Sequence, residues 1–307
     1  MTFSSIRAVL LILNPTAGRR RRGLVDAVVR RVRELGWTVD LIETAAAGDA
    51  RRIAETCDAA RYAVIAVAGG DGTINEVVNG LVQRGAAGPA LGIVPLGTAN
   101  VLAHELGLRF SAIALARTLT AGQEILMRPG EAKGVGRARQ FSLMAGAGFD
   151  AKVVAGVSAP LKRRLGRAAY VWRSLVEVRR YRPVRYAVEI DGTRHEAASV
   201  IVTHGRHYAG PYVVAPDAGL GNPLLHVCLF ERWGRSQTLR FGLALLLGRL
   251  SRTAGYRVIA GRDIRVSVLS TAGEQRCQPV QIDGDDALTL PVTIALAAGA
   301  VRLLRPA

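Results

Sequence analysis

The chain has 307 residues, half of them hydrophobic, enough for one large core or two ordinary ones, and two lobes are the better fit. Its 41 basic and 24 acidic residues give a formal charge of +17, a field that calls for an anionic partner. Aromatics make up only 5% and no run of bases is interleaved with them, so nucleic acid is the weaker choice and an anionic membrane surface the stronger.

Ala8–Leu13 is an apolar run that leads into Asn14-Pro15, too short for a signal-peptide core, and it reads as a first strand. Gly23–Leu35 carries Leu24, Val25, Val28, Val29, Val32 and Leu35 at helical spacing and stops at Gly36. Trp37–Ile42 is a second strand, Asp49–Ala60 a helix, Tyr62–Ala68 a third strand and Thr73–Gln83 a helix. Ala90–Pro95 is a fourth strand, and Thr98–Glu105 starts another helix. This alternation predicts a doubly wound α/β domain over residues 1–127, with ligands at the carboxyl ends of its strands.

From residue 128 onward the pattern changes to short segments: Gln140–Ala145, Arg185–Ile190, Ala198–Thr203, Leu225–Phe230, Asp263–Val268 and Val280–Ile282. These predict a mostly antiparallel β-sandwich over 128–307, with Asp191-Gly192 as a hairpin turn. Helices are expected over Lys162–Tyr181 and Gln237–Leu250. The tail, 292–307, either stays in the sandwich or returns to the first domain. The apolar stretch near Gly242 to Gly248 is far below the roughly 20 residues a spanning helix needs. Cys57, Cys228 and Cys277 form neither a disulfide framework nor a metal-ligand spacing, which fits a reducing compartment. A cytoplasmic protein with peripheral membrane association is the expectation.

The run Gly69-Gly70-Asp71-Gly72-Thr73-Ile74-Asn75-Glu76 closes a buried strand and opens a helix. Glycine lets the backbone approach phosphate oxygens, and a helix N-terminus adds N–H donors and a favourable dipole. A carboxylate at Asp71 beside phosphate calls for a divalent cation or a proton in transit between them. Taken alone, the run is equally a tight turn with Asp71 as a helix cap. Two further loops, Asn14-Pro15-Thr16-Ala17-Gly18 and Pro95-Leu96-Gly97-Thr98-Ala99-Asn100, also follow strands and precede helices. Three such loops on one rim point to a nucleotide site.

NPTAG, GGDGTINEVVNGL and PLGTAN, in this order and spacing, resemble the diacylglycerol kinase catalytic domain of bacterial lipid kinases, sphingosine kinases and ceramide kinases. The similarity continues through Gly148-Phe149-Asp150, Leu161–Tyr170, Ala215–Ala218 and Asp283-Gly284-Asp285. The glycine-rich element alone is shared with NAD kinases and phosphofructokinases. The resemblance implies an NAD kinase/diacylglycerol kinase-like fold and an ATP- and Mg²⁺-dependent kinase acting on a diacylglycerol- or sphingosine-like hydroxyl. It implies that Asn14, Pro15, Thr16, Ala17, Gly18, Thr44, Gly69, Gly70, Gly72, Thr73, Ile74, Asn75, Glu76, Gly97 and Thr98 surround ATP, with Asp71 the aspartate of the signature turn facing ATP-Mg²⁺.

The family's closing motif is Asp-Gly-Glu, whose glutamate accepts the proton of the lipid hydroxyl; Asp285 stands there in this chain, one methylene shorter. By itself Asp283-Gly284-Asp285 reads as a β-turn. Val101 replaces an aspartate of the Mg²⁺-water network of bacterial diacylglycerol kinases, which tilts the acceptor away from those enzymes. Asn222-Pro223 replaces an Asp-Gly turn that holds a structural Mg²⁺ in some relatives, so a site at Gly219, Asn222 and Leu224 is expected to be weak or empty. Asp150 falls where sphingosine kinases contact the lipid headgroup. Lys162, Arg163, Arg164, Arg167, Arg173, Arg179, Arg180 and Arg182 form either a solvated face or a headgroup-docking one, and Arg19 to Arg22 lie beside the first loop. His204, His207 and His226 lack metal spacing. The rival readings are an NAD kinase-like enzyme and a catalytically impaired lipid- or nucleotide-binding protein.

Overall fold

Apolar runs ended by turn residues set the first four strands, β1 (Ala8–Leu13), β2 (Thr38–Glu43), β3 (Val64–Gly69) and β4 (Ala90–Pro95), of which β1, β3 and β4 are buried while β2 is largely exposed. In a computed structural model that describes residues 6–18, 22–84, 88–156, 167–180, 184–269 and 278–307, with the side chains of 167–171 outside the description, the chain divides into two units. The first is Met1–Pro129 with Ala298–Ala307, the second Gly130–Ala297.

In the first unit, α1 (Arg22–Glu34), α2 (Asp49–Thr56), α3 (Asp71–Val82), α4 (Val101–Glu105) and α5 (Ala112–Ala121) surround a six-stranded sheet. Its order is β2-β1-β3-β4, then β20 (Val301–Arg305) and β5 (Gln123–Met127). β1 to β4 are parallel, and Leu13 lies opposite both Glu43 and Ala68 while Gly69 lies opposite Pro95. Four strand ends therefore finish level on one rim. From β1 the order runs outward to β2 and back past it to β3, so the switch point falls between β1 and β3. Helix α1 packs with α5, and α2 with α3.

Two boundaries differ from the sequence reading. Helix α2 ends at Thr56, since Cys57 turns extended and the Asp58 carboxylate accepts from the Ala60 amide. The helix expected from Thr98 begins at Val101 because Asn100 takes a left-handed conformation, φ 50°. Helix α5 and strand β5 carried no sequence signal that singled them out.

The second unit holds two antiparallel six-stranded sheets. One runs β10 (Thr193–Ala197), β9 (Tyr186–Ile190), β16 (Ile264–Val268), β19 (Val292–Leu296), β6 (Gly130–Gly134), β7 (Arg137–Phe141). The other runs β15 (Tyr256–Gly261), β14 (Leu225–Phe230), β11 (Ser199–Thr203), β8 (Met144–Ala147), β17 (Pro279–Ile282), β18 (Asp285–Thr289). Tyr186, Phe141, Val188, Val200, Val227 and Val266 belong to the shared core. The short β12 (His207–Tyr208) and β13 (Tyr212–Val213) pair separately, and α6 (Phe149–Ala155), α7 (Arg167–Arg179) and α8 (Arg235–Leu246) complete the unit. Within the tail, β19 stays in the sandwich while β20 lies in the first unit's sheet.

The segment expected as one strand, Gln140–Ala145, is two strands in different sheets, broken at Ser142 and Leu143. The Asp283 carboxylate makes that corner, accepting from the amides of Ser142 at 2.7 Å, Leu143 at 3.0 Å and Met144 at 2.9 Å. Asp191-Gly192 forms the expected hairpin, with both residues at positive φ. The helix expected over Lys162–Tyr181 runs Arg167–Arg179 among the described residues, and the one expected over Gln237–Leu250 is α8 followed by a 3₁₀ turn at Leu250–Arg252.

Candidate functional site

The three loops at the rim of the first unit hold one another directly. After β1, the Asn14 amide donates to Ala68 O at 2.9 Å and its side-chain Nδ2 donates to Thr73 Oγ1 at 2.9 Å, tying the first loop to the first turn of α3 across the switch point. Asn14 Oδ1 in turn accepts from the Thr16 amide and hydroxyl, and the Ala17 amide donates to Asn14 O. Pro15 is partly buried. Gly18 packs on Leu96 of the third loop so closely that an added Cβ would lie 2.4 Å from Leu96 O. The second and third loops meet at Gly70 and Gly97, where a Cβ on Gly97 would lie 2.6 Å from Gly70 Cα and 2.7 Å from Asn100 Oδ1. Leu96 N also donates to Gly69 O at 3.0 Å. Sequence reasoning placed these glycines at the rim; their close approach to one another is what the structure adds.

Helix α3 starts at this junction. The Ile74 amide donates to Gly70 O at 3.0 Å, the first bond of the helix, so the amides of Asp71, Gly72 and Thr73 have no acceptor within it. Gly72 is exposed, with nothing within 4 Å of where its Cβ would stand. A ligand phosphate can approach there. Ile74 itself is fully buried, so its side chain anchors the turn. Asn75 accepts from Asn79 Nδ2, and Asn75 and Glu76 are partly buried. Thr44, at the end of β2, donates its amide to Leu13 O at 2.9 Å; Thr98 is exposed on the third loop.

Asp71 lies at the centre of this arrangement. Its carboxylate faces the start of α4, with Leu102 N at 3.4 Å from Oδ1. Burial pushes its pKa above the ordinary carboxylate value, and the amides of Leu102, Val101 and Asn100 offset part of that rise. Beside it Asn100, almost wholly buried, donates Nδ2 to Gly97 O at 2.9 Å while its Oδ1 has no hydrogen-bond partner. A partly buried carboxylate and an orphaned amide oxygen are hard donors of the kind Mg²⁺ takes. These residues fit that ion.

In the second unit Asp150, the second residue of α6, is buried and held by two donors: Tyr208 Oη to Oδ1, and Gln281 Nε2 to Oδ2 at 2.8 Å. Burial raises its pKa, opposed by those two bonds. Gln281 Oε1 accepts from the Gly284 amide at 2.8 Å, so one side chain links Asp150 to the Asp283-Gly284 turn. Gly146 makes room, since a Cβ there would lie 2.8 Å from Asp150 Oδ2. Asp283 and Gly284 both have positive φ, and Ile282 pairs with Asp285 across them, which leaves Asp285 exposed as the first residue of β18. Tyr208 and Gln281 carried no motif and were not singled out from sequence.

At Gly219, Asn222 and Leu224, the Asn222 amide donates to Gly219 O at 2.8 Å and the Leu224 amide to Asn222 Oδ1 at 3.1 Å, so the loop uses two of its oxygens internally. His204 Nε2 lies 3.2 Å from Asn222 O, and burial lowers the pKa of His226. Among the described residues no group of three or more His, Cys, Asp and Glu is placed to hold a metal. A groove of about 440 Å³ in this unit is lined by Glu131, Lys133, Glu189, Asp263 and Arg265 together with Ile264, Ile294 and Ala295, a mixed charged and apolar surface. No helix among the described residues is long and apolar enough to cross a membrane. Arg19 to Arg21, Lys162 to Arg164, Arg182 and Cys277 lie outside the described residues.

Residues 8–132 match the diacylglycerol kinase catalytic domain, and residues 144–305 match the YegS C-terminal NAD kinase beta sandwich-like domain. A probable lipid kinase, YegS-like, of Pseudomonas aeruginosa is 32% identical over 303 residues, 97% of this chain and 94% of its own. The diacylglycerol kinase of Bacillus subtilis is 30% identical over 243 residues, 78% of each chain. The crystal structure of a diacylglycerol kinase from Bacillus anthracis shares the fold, with a TM-score of 0.77 at 22% identity, covering 99% of this chain and 98% of that one.

Proposed function

Because the chain belongs to the diacylglycerol kinase catalytic-domain family, in the form that carries a YegS-type C-terminal domain, we propose that it is an ATP-dependent kinase that phosphorylates a lipid hydroxyl. The observation that carries this reading is the convergence of the Asn14, Gly70 and Gly97 loops on the N-terminus of α3, with Asp71 at the junction. Backbone amides of the first α3 turn hold phosphate oxygens, and the helix dipole favours their charge. Asn14 and Thr73 lock two loops in place, so the amides need not reorganise during transfer.

Asp71 and Asn100 would hold Mg²⁺, which when bound would supply charge neutralisation for the transferring phosphoryl group. Asp71 orients that end of the nucleotide. Asp285, on the solvent-facing side of its hairpin, accepts the proton from the lipid hydroxyl, and Asp150, fixed by Tyr208 and Gln281, receives the polar head. The acceptor is a diacylglycerol- or sphingosine-like alcohol. An assay offering diacylglycerol, sphingosine and NAD side by side with γ-labelled ATP tests the reading: label should enter a lipid. Label in NAD alone would move the protein to the NAD kinase class.

A further inference from the structure

Two helices of the second unit leave large apolar side chains in solvent. Leu239, Leu243 and Leu246 on α8, and Leu247 immediately after it, are each more than half exposed. At about 100° per residue, these four positions fall within an arc of about 100° on one face. The opposite face is fixed inward by Phe241, which is buried with its ring edge-on to Phe230 at 5.2 Å. Exposed Arg235 and Arg240 flank the leucine stripe on its two sides, and α8 contains no acidic residue. Helix α7, packed beside α8, adds Trp172 and Leu175, again each more than half exposed. Its Glu177 is paired with Arg173, while Arg179 is exposed at its end.

Single exposed leucines need no explanation, but a leucine stripe exposed along α8, with Trp172 and Leu175 exposed on the helix packed beside it, is more apolar surface than soluble proteins commonly leave open. The charge pattern identifies what covers it. Leucines at the centre with arginines at both edges match a helix lying in a bilayer interface, where the apolar chains enter the acyl boundary and the arginines reach lipid phosphates. Tryptophan suits the same depth. The formal charge of +17 adds long-range attraction to an anionic leaflet.

We propose that the exposed face of α7 and α8, centred on Leu239, Leu243 and Leu246, is the surface by which this protein docks on an anionic lipid bilayer. The inference rests on the lipid-kinase reading for its purpose, since the acceptor would be taken from that bilayer, and its test runs without ATP.

The test is sedimentation of the full chain with phosphatidylcholine vesicles, with and without phosphatidylglycerol. Wild-type protein should sediment with the anionic vesicles and much less with neutral ones. The triple variant Leu239→Gln, Leu243→Gln, Leu246→Gln, with an unchanged melting temperature, should bind anionic vesicles at least about tenfold more weakly. Arg235→Gln with Arg240→Gln should weaken anionic binding alone, and salt near 1 M should do the same to wild type. The triple variant binding vesicles as wild type does would overturn the proposal. So would a wild-type dimer in velocity sedimentation that the triple variant converts to monomer while vesicle binding stays intact, since the patch would then be covered by a second copy. Vesicle binding without lipid phosphorylation would leave the surface standing and remove the kinase reading instead.

Discussion

The amide of Gln281 donates to the carboxylate of Asp150 at 2.8 Å, while the oxygen of the same side chain accepts from the backbone of Gly284 at 2.8 Å. A buried glutamine thus fixes a buried acid against the turn that presents Asp285. Gln281→Leu leaves Asp150 with one donor fewer in a site that already raises its pKa, and destabilisation of about 1–3 kcal/mol is expected. Gln281→Glu should be worse, because it sets two carboxyl groups in contact. Urea unfolding of the three proteins measures the order; equal stability for the Glu variant would show that the Asp150 contact is not formed.

Gly97 and Gly72, on two of the rim loops, should respond differently to substitution. Gly97→Ala drives a methyl group into Gly70 and Asn100, and a loss of roughly 1–3 kcal/mol of stability is expected. Gly72→Ala meets nothing in the protein, so its stability should be near wild type. Its ATP affinity should still fall, because the methyl group would stand at the proposed phosphate site. Thermal melts paired with nucleotide titration separate the two effects.

The two aspartates of the closing motif should also divide their roles. Asp283→Ala removes the acceptor for three amides at the β7–β8 corner and should cost stability on the order of 1–3 kcal/mol. Asp285→Asn, at an exposed position, should cost less stability than Asp283→Ala and lower kcat about 10²- to 10⁴-fold, the usual range for a missing general base. Melting curves and steady-state rates on both variants check this.

Asp71 is expected to trade stability for chemistry. Burial raises its folded-state pKa, so the group stabilises the fold below its unfolded value of about 3.9 and that contribution is lost as pH rises through the folded value. The ionised form therefore costs stability near neutral pH. Asp71→Asn should raise the melting temperature near neutral pH, with the gap closing as pH falls toward about 4, and should lower transfer by at least about 10²-fold. Melting temperatures of both proteins across that pH range test the linkage.

Much of the first unit is legible because its central strands β1, β3 and β4 are buried and end at Asn14, Gly69 and Pro95, where periodicity and turn chemistry coincide. The loops could be placed on one rim from order alone. What the sequence could not convey is that Gly70 touches Gly97, since such contact depends on the angle at which two loops leave a sheet. In the second unit, Gln140–Ala145 read as one strand because its apolar pattern runs through the corner. The break comes from Asp283, some 140 positions away. Gln281 and Tyr208 were invisible for the same reason: a buried polar residue has no periodic signature, and its partners come from other strands. The exposed leucines of α8 gave a hydrophobic pattern that fits a core helix equally well, and only their solvent exposure separates the two.

Transfer of phosphate from ATP to a lipid at the Asp71 turn is tested most directly by incubating wild-type protein and Asp71→Asn with a total lipid extract, ATP and Mg²⁺. The products are then read by mass spectrometry. A lipid species heavier by one phosphate with wild type, and absent or at least about 10²-fold reduced with the variant, is the expected result. No phosphorylated lipid from a wild-type preparation that binds ATP, or equal product from both proteins, would contradict it.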